Sequence, residues 1–310
     1  MARIASTALV VALLAATAAA FVLTQGLKSQ PSPIRGTQVD DVFSPVCACE
    51  TETAGIAFRL READRVGVEI VDGDHVVRTI EDGRSYPPGR VSVEWDGRDD
   101  AGEVLPEGEY QPRVRLAEAH QTITLPNPIR IDVTAPAITS AVATPLVISP
   151  DGDRRRDSVA VRYRIDEPAK GLLYVDGIKR VETRFPREED SLRWYGRIDG
   201  EPVEQGAYAL ALRARDPAGN VGDVVRFPAL VVRFVALGRD RIDAVAGARF
   251  PIRVSSDART VRWTLGRRTG VAAPGTLLIR APLQKGRYTL TVVANGHAAR
   301  AAVFVREPVR

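Results

Sequence analysis

The side chains with chemistry to offer fall in two short runs. Cys47 and Cys49 are the only two cysteines of the chain and stand one residue apart. Outside the cytoplasm two thiols this close become oxidised, so the expected state is a local disulfide that staples the surrounding loop. Bonds to other chains and free thiols are the competing readings. On an extended strand, neighbours at i and i+2 sit near the upper limit of disulfide separation, so a bridge demands a tight turn. Two cysteines leave a tetrahedral zinc site two ligands short.

The second run is Asp151-Gly152-Asp153-Arg154-Arg155-Arg156-Asp157. A hard cation such as Ca²⁺ needs several oxygens converging from one glycine-permissive loop, which makes Asp151, Asp153 and Asp157 the candidate metal ligands. The three intervening arginines oppose that reading, because they repel a divalent ion and pair with the same carboxylates. A structural turn held by such pairs is the competing reading, and no cofactor other than Ca²⁺ is expected. His75, His120 and His297 lie in three unrelated contexts, with no His-x-x-x-His pair, no nucleophile elbow and no phosphate-cradling glycine loop. Asp99-Asp100 and Glu188-Glu189-Asp190 read as solvated loop acids. The expectation is therefore no catalytic residue, no enzymatic activity and no small-molecule substrate.

The elements that position these runs announce themselves as a repeat. Trp95-Asp96-Gly97-Arg98-Asp99-Asp100-Ala101-Gly102 followed by Gly108-Glu109-Tyr110 returns as Trp194-Tyr195-Gly196-Arg197-Ile198-Asp199-Gly200 followed by Gly206-Ala207-Tyr208. The two tryptophans are 99 positions apart and the two tyrosines 98, which is the size of one β-sandwich. Each copy ends a strand on Trp, turns through Gly and Asp residues that tolerate positive φ, and re-enters a strand at Gly-x-Tyr. The four aromatic residues read as core, opposite one another on the repeated hairpin, rather than as a sugar-stacking platform. Trp263, less constrained by the pattern, is the first place to expect an exposed ring.

Period-two alternation runs through Ile56, Phe58 and Leu60, through Val91, Val93 and Trp95, and through Tyr110, Pro112, Val114 and Leu116. Pro112 argues for an edge or a bulge. With 45% hydrophobic residues, 21 Pro and 25 Gly in 310 residues, the composition is that of folded β-domains and not of a disordered chain. Basic residues are mostly Arg, alternating with apolar residues on strands as in Phe58-Arg59-Leu60-Arg61, which puts them on solvated sheet faces. A polyanion-binding face is the competing reading, and the interspersed acids weigh against nucleic acid as a partner.

Residues 4 to 27 carry no charge, and their Ala, Val, Leu and Phe approach the ~20 residues that cross a bilayer. An uncleaved membrane anchor and a signal peptide cut near Ala18-Ala19-Ala20 both remain open, and both place the rest of the chain outside the cytoplasm. The resulting plan is mainly β: an N-terminal hydrophobic helix over residues 1–28 and a flexible tether over 29–41, then tandem β-sandwiches over 42–134, 137–234 and, in divergent form, 236–308.

Phe43-Ser44-Pro45, Ile56 to Leu60, Val77-Arg78-Thr79-Ile80 and the Trp95 to Tyr110 hairpin together resemble the immunoglobulin-like domain named after the flagellar hook-assembly protein FlgD and the extracellular protease Vpr. Ile148-Ser149-Pro150-Asp151-Gly152-Asp153, the Trp194 turn, Gly206-Ala207-Tyr208 and Asp216-Pro217-Ala218-Gly219-Asn220 carry the same resemblance into the second unit. Its fold signature falls on Trp95, Gly97, Gly102, Gly108, Tyr110, Trp194, Gly196, Gly206 and Tyr208. The resemblance implies an accessory module of a secreted or envelope-attached protein and licenses no chemistry. The expected role is a non-catalytic spacer, scaffold or protein-interaction module whose partner is an envelope protein or a cell-wall polymer. A carbohydrate- or cell-wall-binding module is the runner-up, and an enzyme with an unrecognised site comes third.

Overall fold

The computed structural model describes residues 12–21 and 31–308. Residues 12–21 are helical and exposed, and among the described residues no helix is long and apolar enough to cross a membrane. Much of the expected anchor or signal segment lies outside the described residues. From Ile34 to residue 308 the described residues are strand, turn and loop, and the chain divides into two compact units, Met1–Val133 and Thr134–Arg310.

In the first unit, strands Ile34–Val39, Ala54–Leu60 and Gly89–Trp95 form one sheet. The facing sheet runs Val42–Phe43, Ile129–Ile131, Gly108–Leu116, Asp64–Asp72 and His75–Tyr86, with Gln121–Thr124 added beside Gly108–Leu116. Alternation dictates what is inside: Ile56, Phe58, Val91, Val93 and Trp95 meet Val66, Val68, Ile70, Tyr110 and Val114 in one core. Two expectations need correction. The tether is shorter than its polar composition suggested, because Ile34 is buried against the core and Ile34–Val39 pairs with Ala54–Leu60. Pro112 is at neither an edge nor a bulge. Its strand pairs with Ile129–Ile131 over residues 108–110 and with Gln121–Thr124 over residues 113–116, so the missing N–H falls in the gap between two partners.

The second unit holds two cores. The first gathers Ile148, Val159, Val161, Leu173, Trp194, Leu212 and Val232; the second gathers Val235, Ile252, Val254, Val261, Leu290 and Val303. One strand, Val159–Val175, serves the first core twice. Its early half pairs with Ile138–Thr144 and Arg187–Trp194, and its late half with Ile178–Glu182 and Leu210–Arg215. The register shifts between Arg164 and Ala169, around Pro168. In the last sandwich, Ala236–Leu237, Arg249–Ser255 and Gly275–Arg280 face a sheet ordered Arg241–Val245, His297–Arg306, Gly286–Ala294, Val261–Leu265 and Arg268–Ala272.

Candidate functional site

The repeated hairpins are built from the same bonds. Trp95 Nε1 donates to the Arg98 carbonyl at 3.1 Å and Trp194 Nε1 to the Arg197 carbonyl at 3.2 Å. Arg98 and Arg197 each return a guanidinium N–H to a turn carbonyl, of Gly102 and Gly200, at 2.8 Å. Tyr110 and Tyr208 donate their hydroxyls back four residues, to the carbonyls of Pro106 and Glu204. Tyr288 does the same to Gln284 in the last sandwich. Trp95, Trp194 and Tyr110 are buried and Tyr208 half-buried, and burial pushes the Tyr110 and Tyr208 hydroxyls above the usual tyrosine range.

Gly97 and Gly196 show why glycine is needed. Both have positive φ, 72° and 61°, and the loop before each hairpin folds a proline onto it. A Cβ on Gly97 would lie 2.9 Å from Pro45, and one on Gly196 2.7 Å from Pro150. The Ser-Pro segments thus seal the two hairpins alike, but the loops diverge immediately after the prolines.

After Pro45, Cys47 and Cys49 are joined by a disulfide with the Cα atoms 5.2 Å apart. Ala48 between them takes a positive φ of 49°, which tightens the chain into the turn a one-residue bridge demands. After Pro150 the loop is closed by carboxylates. Asp157 accepts from Gly152 N at 3.1 Å and Arg154 N at 2.8 Å, Asp153 accepts from Arg155 N at 2.8 Å, and Ser149 N donates to the Arg156 carbonyl.

Asp157 is therefore spent on the loop's own backbone, a correction to its expected place beside Asp151 and Asp153. The third carboxylate with them is Asp257, from the turn after Arg249–Ser255, and one oxygen of each lies within 4.8 Å of the others. These are the residues that could hold a hard cation. Their present partners are protein groups: Asn295 Nδ2 donates to Asp151 and Asp153 at 3.0 Å each, and Ser149 Oγ pairs with Asp257. Burial, with added repulsion from Asp153 and Asp151, holds the Asp257 carboxyl above the usual aspartate range against the pull of the Ser149 hydroxyl and its own backbone. Arg155 Nη1 donates to the main-chain carbonyl of Asp257 at 2.9 Å, a partner outside the loop whose own carboxylates the arginines were expected to pair with.

These contacts lock the last two sandwiches together. Phe234 belongs to one core and the adjacent Val235 to the other. His297 stacks on Phe234 with centroids 3.6 Å apart, and Ser256 Oγ donates to the Phe234 carbonyl at 2.8 Å. Trp263 is not the exposed ring: half-buried, it lies over Gly270 on the paired strand. Tyr195, 56% exposed, is the outward ring beside buried Trp194. Sequence reading missed Asp257 and Asn295. Asn295-Gly296 carries a hairpin-turn signal, whereas nothing local marks Asp257.

The sequence model described as FlgD Ig-like domain matches residues 47–119. This stretch is a FlgD-type Ig-like domain. The match takes in the disulfide turn, the Trp95 hairpin and Tyr110 of this FlgD-type domain. No curated protein matches the chain. Among solved structures it is similar to the fibronectin(III)-like modules of Clostridium thermocellum CbhA, at 14% identity over 64% of this chain and 94% of that one, with a TM-score of 0.36. It is also similar to titin domains I67–I69, at 12% identity over 90% of this chain and 100% of that one, TM-score 0.28. A third is the Bacteroides ovatus SGBP-B in complex with a mixed-linkage heptasaccharide, at 15% identity over 90% and 69%, TM-score 0.24.

Proposed function

We propose that the chain is a non-catalytic envelope or extracellular spacer, in which the last two sandwiches form one stiff arm. The observation that carries the reading is the absence of slack at Phe234-Val235, where consecutive residues anchor in separate cores. Hydrogen bonds from Asn295 to Asp151 and Asp153, and from Arg155 to the Asp257 carbonyl, add cross-ties on a second side of the joint. A linker that is itself core cannot act as a hinge without unpacking one of the domains. The non-catalytic part rests on where the motifs go: the Trp hairpins, the Gly-x-Tyr entries and the cysteines are spent on turns and core.

The test is a spin-label distance measurement on the full chain labelled at Ile178 and Leu278, both exposed, one in each sandwich of the arm. The expected result is one narrow distance distribution, broadened by a four-residue Gly-Ser insertion between Phe234 and Val235. A broad distribution in the uninserted chain overturns the stiff-arm reading.

A further inference from the structure

The joint that stiffens the arm also gathers guanidinium groups. A cleft of about 290 Å³ opens where the two sandwiches meet, and Arg156, Arg233 and Arg253 line it together with Ser149, Ser256 and Asp257. A second cleft of about 500 Å³ is lined by Arg154, Arg156 and Arg193, with Tyr195 and Asp157. Arg156 belongs to both, so the two clefts are neighbours on one surface.

Five arginines thus line the two clefts: Arg154, Arg156, Arg193, Arg233 and Arg253. None of their side chains makes an ion pair or a hydrogen bond among the described residues, whereas Arg155 between two of them is tied to Asp257. Two carboxylates face the clefts. Asp157 accepts two backbone N–H groups, and Asp257 pairs with Ser149 through Oδ2 while its Oδ1 is buried with no hydrogen-bond partner among the described residues. Arg154 and Arg156 are held at φ of 68° and 48°, a conformation that L-residues other than Asn and Asp seldom take. Strain of this kind persists where the surrounding structure imposes it and gathers at binding sites.

We propose that these clefts bind an anionic polysaccharide, a chain whose successive sugars carry carboxylates. The guanidinium fork matches a carboxylate bidentately, and two adjoining clefts sharing Arg156 suit a repeating ligand rather than a single ion. The exposed Tyr195 ring at the second cleft offers an apolar face against which a sugar can stack. An oxidising setting, indicated by the Cys47–Cys49 bond, favours a glycan over nucleic acid. The first cleft rests on the stiff-arm reading, because both sandwiches line it, whereas the second is lined by one sandwich alone; the spin-label distances tell a failed joint from failed binding.

The experiment is calorimetric titration of the full chain with polygalacturonate, with neutral dextran and duplex DNA as parallel probes. Polygalacturonate binds, dextran does not, and the DNA of equal charge binds more weakly. Arg156→Ala with Arg193→Ala weakens polygalacturonate binding tenfold or more, and Tyr195→Ala weakens it severalfold. Arg59→Ala with Arg90→Ala, which removes the same charge from strands of the FlgD-type domain, leaves it within twofold. The thermal transition of each variant separates lost binding from lost fold, and Arg253→Ala replaces any variant that unfolds. Absence of polygalacturonate binding at low salt, tighter binding of DNA, or equal weakening by the Arg59/Arg90 pair overturns the proposal.

Discussion

The Ser-Pro loop of the FlgD-type domain and its counterpart in the next sandwich start from one frame and end in different chemistry. Pro45 packs on Gly97 as Pro150 packs on Gly196, and each glycine opens the same Trp-anchored turn. Beyond that point the first loop is closed by a covalent bond and the second by carboxylates accepting backbone N–H groups. A disulfide satisfies only its own loop. Carboxylates have lone pairs left over, and in the second sandwich Asp151 and Asp153 use them on Asn295 of the next domain. Replacing a staple with acids therefore changes a closed loop into a joint.

The shared frame is the part most costly to break. Trp95→Ala and Trp194→Ala should each lose about 3–5 kcal/mol in urea unfolding, the range for truncating a buried aromatic. Trp263→Ala should lose less, because that ring is half-buried over Gly270. A Trp263 loss as large as that of Trp95 would mean the last sandwich depends on a frame we have not recognised.

Gly97→Ala and Gly196→Ala come next, at about 2 kcal/mol or more each, since the new methyl meets a proline ring and the φ is unfavourable. Equal losses support the equivalence of the two hairpins; a neutral Gly196→Ala would break it.

The two closures themselves should differ modestly. Cys47→Ser with Cys49→Ser removes a three-residue loop, worth about 1.6 kcal/mol on the chain-entropy relation. Asp157→Ala leaves two N–H groups without their acceptor, at about 1–2 kcal/mol. Thermal melts should assign the first loss to the FlgD-type domain and the second to the arm.

The smallest effect is a pH-dependent one. A hydrogen bond from Lys179 is the main cause that holds the Glu182 carboxyl below the usual glutamate range, with Arg215 assisting against desolvation. A depressed carboxylate adds stability above its unfolded pKa and loses it as pH falls through the folded one. Glu182→Gln should thus cost less than about 1 kcal/mol at pH 7, and the gap from wild type should close below pH 4. A gap that widens in acid would contradict the assignment.

The strands, the turn at Gly97, and the buried state of Trp95 and Tyr110 were legible because their signals are local: period two, turn residues with positive φ, and one repeat set against the other. Ile34–Val39 hid behind Pro and Gly neighbours that read as a tether. Asp157 and Asp257 show the limit more sharply. Both are acids in polar loops, and which of them joins Asp151 and Asp153 depends on how two sandwiches dock, which no spacing within one loop encodes. The unpaired arginines were visible as arginines. Their lack of partners is a property of the folded surface.

Differential scanning calorimetry of the full chain tests most directly the claim that the second Ser-Pro loop is a joint. The unaltered chain should show one transition for the FlgD-type domain and a single cooperative transition for the paired sandwiches, split into two by Asp153→Ala with Asn295→Ala. Three independent transitions in the unaltered chain would contradict it.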